Sequence, residues 1–360
     1  MNRSIAVVLL LAAAIGAGAY IAWKQPAGLS APGTAATREA STSSAAGSAT
    51  PLAASHSAAT AAIARRVAGA PAKATLFNEY LGAKSYRALY DRLHNTGEGA
   101  TAEGLYVQYD ILRKCATVTD RQQYRRGVQP KPLDQRRTDF IAALPPNDPN
   151  RDKRIAAFER SAVNRCSGFD DVQVTQSDLD KMLEDAANAG DPKAKAAEVE
   201  QQIWAQRRAG QWRTATLSDT QIGTLEQAVA SRDPGAMMVA GQLLSNQWNS
   251  MTVQVGPDAQ PVEPRAFYNA WQVVACEYGY PCGSDNPRIA DECAYRGHCD
   301  ATSLPDYLSY YASSPYESEL LSRYESVLRG AIESGDWSQV TVSRGATPAP
   351  QMGFGGHGPG

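Results

Sequence analysis

The chain has 360 residues, a formal net charge of −2 and a sequence pI near 6.1. That balance excludes a globally basic nucleic-acid binder and an acidic solvating protein, so no nucleic-acid partner is expected. Only the stretch from about Leu76 to Val342 mixes apolar and charged residues as a packed domain does, enough for one large domain or two small ones.

In chain order, Ile5 to Trp23 are 19 residues without a charged side chain, flanked by Arg3 and Lys24. A helix of that length nearly matches a bilayer core. Residues 1–24 therefore read as a signal-anchor, a transmembrane helix that carries the rest of the chain out of the cytoplasm. The rival is a signal peptide cleaved near Ala19, after Ala17-Gly18-Ala19. The apolar run continues beyond that point through Tyr20, Ile21 and Trp23, which favours the anchor. Residues 25–74 are almost all Ala, Ser, Thr, Gly and Pro and bury too little to offset the entropy of ordering. They read as a disordered tether with a coil span of roughly 40 Å. The Gly/Pro-rich tail, residues 344–360, reads as disordered too.

Between these ends, in residues 75–343, a helix-start device recurs: a capping residue followed by proline. It occurs at Asp148-Pro149, Asp191-Pro192, Asp233-Pro234, Asn286-Pro287 and Ser314-Pro315. The capping oxygen accepts from an orphan N–H, and proline has no N–H to lose at the first helical position. Ser314 with Glu317, and Ser218 with Gln221, add capping boxes. After Ser314 the residues Leu320, Leu321, Tyr324, Val327, Leu328, Ala331 and Ile332 share one stripe, closed by Gly335. No sustained period-two alternation stands out, so the expected fold is all-α.

An internal repeat accompanies the helices. Leu183, Glu184, Ala186, Ala189, Asp191, Pro192 and Ala194 return at a constant offset of 42 as Leu225, Glu226, Ala228, Ser231, Asp233, Pro234 and Ala236. A helix, a tight turn ending in an aspartate cap and an antiparallel partner explain the pattern, each hairpin burying its face on the next. Over residues 178–250 this resembles the Sel1-like branch of the tetratricopeptide-type repeats, through Gly190-Asp191-Pro192-Lys193-Ala194. The second copy departs from that family by placing Arg232 where the turn glycine stands. The resemblance implies antiparallel hairpins stacked in a repeat-like array.

Six cysteines all fall in the folded part, an even number that in an exported protein favours disulfides. Cys276 to Cys282 and Cys293 to Cys299 form two C-x5-C units with a glycine inside each. A helix can end at that glycine and the returning chain can bring the second cysteine back, so local bridges are the first expectation. A Cys276 to Cys293 bridge and a four-cysteine zinc site are the alternatives. Cys115 and Cys166 are expected to bridge two helices. No metal and no cofactor are assigned.

From Arg113 to Arg165 there are 13 Lys/Arg against 6 Asp/Glu; from Cys276 to Asp336 there are 11 acidic residues against 4 basic. Arg125, Arg126, Arg136 and Arg137 are thus candidates for an anion-binding surface, the plainer alternative being solvated charges that pair with the acidic half. His94 and His298 are the histidines of the folded part. No Ser-His-Asp order, H-E-x-x-H, phosphate-binding loop or dinucleotide fingerprint occurs, so no catalytic residue is assigned. The sequence reads as a non-enzymatic helical scaffold, anchored in the inner membrane with its domain in the periplasm and binding a protein or an envelope polymer. The alternative is a periplasmic cell-wall hydrolase whose carboxylate acid is not identifiable from the sequence.

Overall fold

Thr75, Ser85 and Thr101 each accept a hydrogen bond from the first turn that follows, opening α1 (Leu76–Gly82), α2 (Tyr86–His94) and α3 (Ala102–Cys115). The computed structural model describes residues 75–119, 133–211, 215–246, 251–257 and 260–344. The expected membrane helix and linker, most of the tail, and Arg125 and Arg126 lie outside them. Among the described residues, no helix is long and apolar enough to cross a membrane.

After α3 come β1 (Thr117–Val118), α4 (Leu133–Ala143), α5 (Arg151–Arg160), α6 (Ala162–Arg165) and β2 (Gln173–Val174). The two short strands pair in parallel next to the Cys115–Cys166 disulfide, which closes the loop between them. Asp148-Pro149 does not open a helix at Pro149. The helix starts at Arg151, because the Asp148 carboxylate accepts from the Asn150 backbone N–H at 2.8 Å and pairs with Arg154 at 2.6 Å. That makes a turn before the helix begins.

The repeated segment folds as two hairpins, α7 (Gln176–Asn188) with α8 (Pro192–Gln206) and α9 (Asp219–Ala230) with α10 (Pro234–Ser245). Thr175 and Ser218 close capping boxes, and Asp191 and Asp233 each accept from the backbone three residues on at 2.9 Å. The turn before each aspartate is left-handed: φ is 98° at Gly190 and 60° at Arg232. Helix α8 packs against α7, α9 and α10.

The C-terminal part contains β3 (Met251–Val255), α11 (Pro264–Glu277), α12 (Pro287–Asp291), α13 (Leu304–Tyr310), α14 (Pro315–Ser334) and β4 (Val340–Arg344). The fold is mostly helical, but the expectation of no period-two segment is corrected here. Met251, Val253 and Val255 alternate inward from Thr252 and Gln254, and β3 pairs antiparallel with β4 from Met251 opposite Arg344 to Val255 opposite Val340. This ribbon lays its apolar face on the same core as α11, which lies between α10 and α14.

The buried side chains form a large core across α8 to α14, a second across α1, α2, α3 and α7, and a small one of Ala157, Phe158, Cys293 and Ala294. Val239 and Tyr280 pack against both larger cores. The C-x5-C units pair locally, Cys276 with Cys282 and Cys293 with Cys299. Each sits where a helix ends at a left-handed glycine, Gly279 and Gly297. With their sulfurs bridged, these four cysteines offer no thiolate to a zinc ion, and among the described residues no group of His, Cys, Asp and Glu is placed to hold a metal. Three disulfides fit an oxidising, extracytoplasmic compartment.

Candidate functional site

Where the two larger cores meet, the chain leaves a half-open cleft of about 230 Å³. Leu81 of α1, Tyr86 of α2 and Lys114 of α3 line one side. Met238 of α10, Tyr268 and Gln272 of α11, Tyr280, Arg288 of α12 and Leu304 of α13 line the other. The volume falls below the roughly 300–1,000 Å³ of sites for drug-sized ligands, so it suits one residue or a small molecule.

The Cys276–Cys282 loop forms one lip and is tied down on several sides. Asn78 donates from Nδ2 to the Gly279 carbonyl at 3.1 Å, and the Leu304 N–H donates to the Cys282 carbonyl at 2.7 Å. Asn286 donates to the Pro281 carbonyl at 2.7 Å while its Oδ1 accepts from the Arg288 N–H at 2.9 Å. The buried Arg165 guanidinium donates to the carbonyls of Leu81 and Asp285, joining the two sides.

Beneath the opposite wall lies a buried acid. Asp110 accepts from the Tyr80 hydroxyl at 2.8 Å, from Lys114 Nζ at 2.7 Å and from Arg113 at 2.7 Å. Burial alone would raise its pKa, but Lys114 and Arg113 outweigh that and hold Asp110 far below the usual carboxylate range. Lys114 also donates to the Tyr80 oxygen at 2.6 Å, so its charge is largely committed to Asp110.

On the α11 side two amides are buried in an otherwise apolar helix. Asn269 donates from Nδ2 to Ser313 Oγ at 3.3 Å, and Gln272 donates from Nε2 to Asn269 Oδ1 at 3.2 Å. This turns Gln272 Oε1 toward Arg288 Nη1, which donates to it. The Arg288 guanidinium also lies over the Tyr307 ring at 5.3 Å. Among the described residues Arg288 has no ion-paired carboxylate; Glu292 reaches it only through the Tyr307 hydroxyl. The hydroxyls of Tyr86, Tyr268 and Tyr280 have no hydrogen-bond partner among the described residues. Burial raises the pKa of Tyr268 and Tyr280, so both remain protonated donors at neutral pH.

The residues nominated from sequence lie elsewhere. His94 is exposed and stacks on Tyr90 at 5.6 Å; His298 stacks on Tyr311 at 4.4 Å and contacts Glu292 at 3.3 Å. Arg137 pairs with Glu159 at 2.9 Å, and Arg136 lies half-buried near Tyr295. Of the other cations of that stretch, Arg154 turns inward to the Ala294 carbonyl at 2.8 Å, and Lys153 pairs with Asp300 at 3.3 Å on the surface. Two carboxyls have raised pKa values through burial, Asp191 and Glu198. Neither lines the cleft. Among the tyrosines of the C-terminal half, Tyr307 and Tyr324 are buried, Tyr280 lines the cleft, and Tyr295, Tyr310, Tyr311 and Tyr316 are exposed.

Tyr86, Tyr268, Gln272 and Arg288 were not identifiable from local motifs, because they come from three helices far apart in the chain, α2, α11 and α12. The signal available was Asn269 and Gln272, two amides within the apolar run Ala266 to Cys276. No family model matches this chain, and neither the curated proteins nor the solved structures contain a match to it.

Proposed function

We propose that the chain is a binding protein of an extracytoplasmic compartment: a membrane-tethered, periplasmic helical-repeat scaffold that holds a protein or envelope-polymer partner without transforming it. The observation that carries this reading is the makeup of the cleft. Tyr86, Tyr268, Tyr280 and Arg288 line it as potential donors, and a chain of buried amides holds the arginine in place. Such groups orient and retain a ligand. The three disulfides support the exported address. The apolar run Ile5 to Trp23 supports the anchor, and the paired hairpins with shared aspartate caps support the repeat architecture.

A photo-crosslinking residue in place of Met238, introduced into the full chain in intact cells, tests the binding reading. Capture of a discrete partner is expected from this position and not from an exposed site such as Glu184 on α7. Equal capture at both positions, or none at either, sinks the cleft as the binding site. Breakdown of envelope polymer by the purified chain would favour the hydrolase instead. Sequencing of the mature N-terminus tests the tether, and a start at Tyr20 would replace the anchor with a cleaved signal.

A further inference from the structure

Arg288 is the cation of the cleft that lacks a carboxylate of its own, and the protein positions it with unusual care. Gln272 and Asn269 are buried amides whose desolvation is tolerated only because each is hydrogen-bonded, and the chain they form ends on the Arg288 guanidinium. Gln272 and the Tyr307 hydroxyl take two of the five N–H donors of its planar fork, and the remaining three are left for a carboxylate. Lys114 cannot substitute for it, being paired with Asp110 at 2.7 Å. The site therefore presents one positive charge with no carboxylate in direct contact, suited to a monoanion rather than a phosphate dianion. Around that charge stand the apolar side chains of Leu81, Met238 and Leu304.

We infer that the cleft receives the C-terminal residue of a peptide, its free carboxylate anchored by Arg288 and its apolar side chain lying against Leu81, Met238 and Leu304. This rests on the cleft being the binding site. The tyrosine hydroxyls that lack protein partners complete the carboxylate's donors. The limited volume admits one residue, with the preceding chain leaving through the open side. Two sources share this chemistry, the C-terminus of a protein and the peptide of an envelope polymer.

The test is calorimetric titration of the detergent-solubilised full chain with N-acetyl-alanyl-L-leucine, its D-leucine isomer and its C-terminal amide. The acid is expected to bind at least about tenfold more tightly than the amide, the usual scale for a charged hydrogen bond. Arg288→Met should reduce the acid to the level of the amide, and Arg288→Lys, which keeps the charge but loses the fork, should restore part of the difference. Tighter binding of the L isomer assigns a protein C-terminus, and of the D isomer an envelope peptide. Equal binding of acid and amide, or binding of neither, overturns the inference, and this comparison on the unaltered chain does not depend on any variant folding. If crosslinking from position 238 succeeds while acid and amide bind alike, the cleft stands and only the carboxylate anchor falls. Failure of both removes the cleft reading as well.

Discussion

Lys193 and Gly235 occupy equivalent positions in the two copies of the repeat, and the stem of one fills the space that a side chain on the other would need. A Cβ at position 235 would lie 2.6 Å from Lys193 Cδ and 2.7 Å from Phe77 Cε1. The buried Lys193 ammonium reaches both capping aspartates, Asp191 and Asp233, at 3.0 Å, and lies 5.2 Å from the centre of the Phe77 ring. Burial would pull its pKa down, but the fields of Asp233 and Asp191 outweigh this and raise it. One lysine thus ties the two hairpin turns together.

Gly235→Ala should therefore destabilise the protein by about 1–3 kcal/mol through overpacking. Lys193→Met should be worse, about 3–5 kcal/mol, because it leaves Asp191 buried without its cation. Denaturant unfolding of both variants measures this. A Gly235→Ala chain as stable as the parent would mean that Lys193 can move aside at no cost.

Arg232 should respond in the opposite direction. It is the one non-glycine residue with positive φ among the described residues, and it stands where the first copy has Gly190. Left-handed backbone at a residue with a Cβ costs about 1–2 kcal/mol, partly offset in a glycine variant by the entropy of its unfolded chain. Arg232→Gly should stabilise the domain by about 1 kcal/mol, seen as a higher denaturation midpoint with an unchanged slope. A loss of stability would show that the arginine side chain contributes more than its backbone strain costs.

Acid should unfold the N-terminal core through Asp110. Its folded pKa lies below the unfolded value of about 3.9. Its contribution is therefore fully present above that pH and is lost as pH falls toward the folded pKa. Asp110→Asn should remove this part of the acid sensitivity. At neutral pH it should cost about 2–3 kcal/mol, less than for a fully buried pair because Arg113 and Lys114 are half-exposed and can return to water. Stability profiles of parent and variant between pH 2 and pH 7 decide the matter; parallel curves would exclude Asp110 as a source of the acid dependence.

Local chemistry was the legible part of the sequence. Asp191, Asp233, Asn286 and Ser314 cap helices as their proline neighbours indicated, and the duplicated C-x5-C units bridge locally at helix-ending glycines. Asp148 misled because a cation six residues on, Arg154, competes for its carboxylate. The ribbon of β3 and β4 was missed because each strand has only five residues and its partner is some ninety positions away. Glu263, which caps α11, is outside the usual capping residue types. The cleft was illegible for a different reason: its lining runs from Leu81 to Leu304, and only the meeting of two cores brings those residues together.

The disulfides should separate stability from binding. Closing the loop from Cys115 to Cys166 restricts the unfolded chain far more than closing either short unit, so its loss should cost about 4 kcal/mol against about 2 for each C-x5-C pair. Paired Cys→Ser variants, compared by thermal melting, test that order. Ligand binding should follow a different order. Cys276 and Cys282 hold the loop that carries Tyr280 into the cleft, whereas Cys293 and Cys299 pack with Ala157 and Phe158 in the small core and do not line it. Replacing Cys276 and Cys282 should weaken binding at the cleft severalfold at a temperature where the protein remains folded. Replacing Cys293 and Cys299 should lower the melting temperature by a similar amount and leave binding unchanged. If the two pairs affected binding equally, the Cys276–Cys282 loop would be a brace for the fold and not the lip of a ligand site.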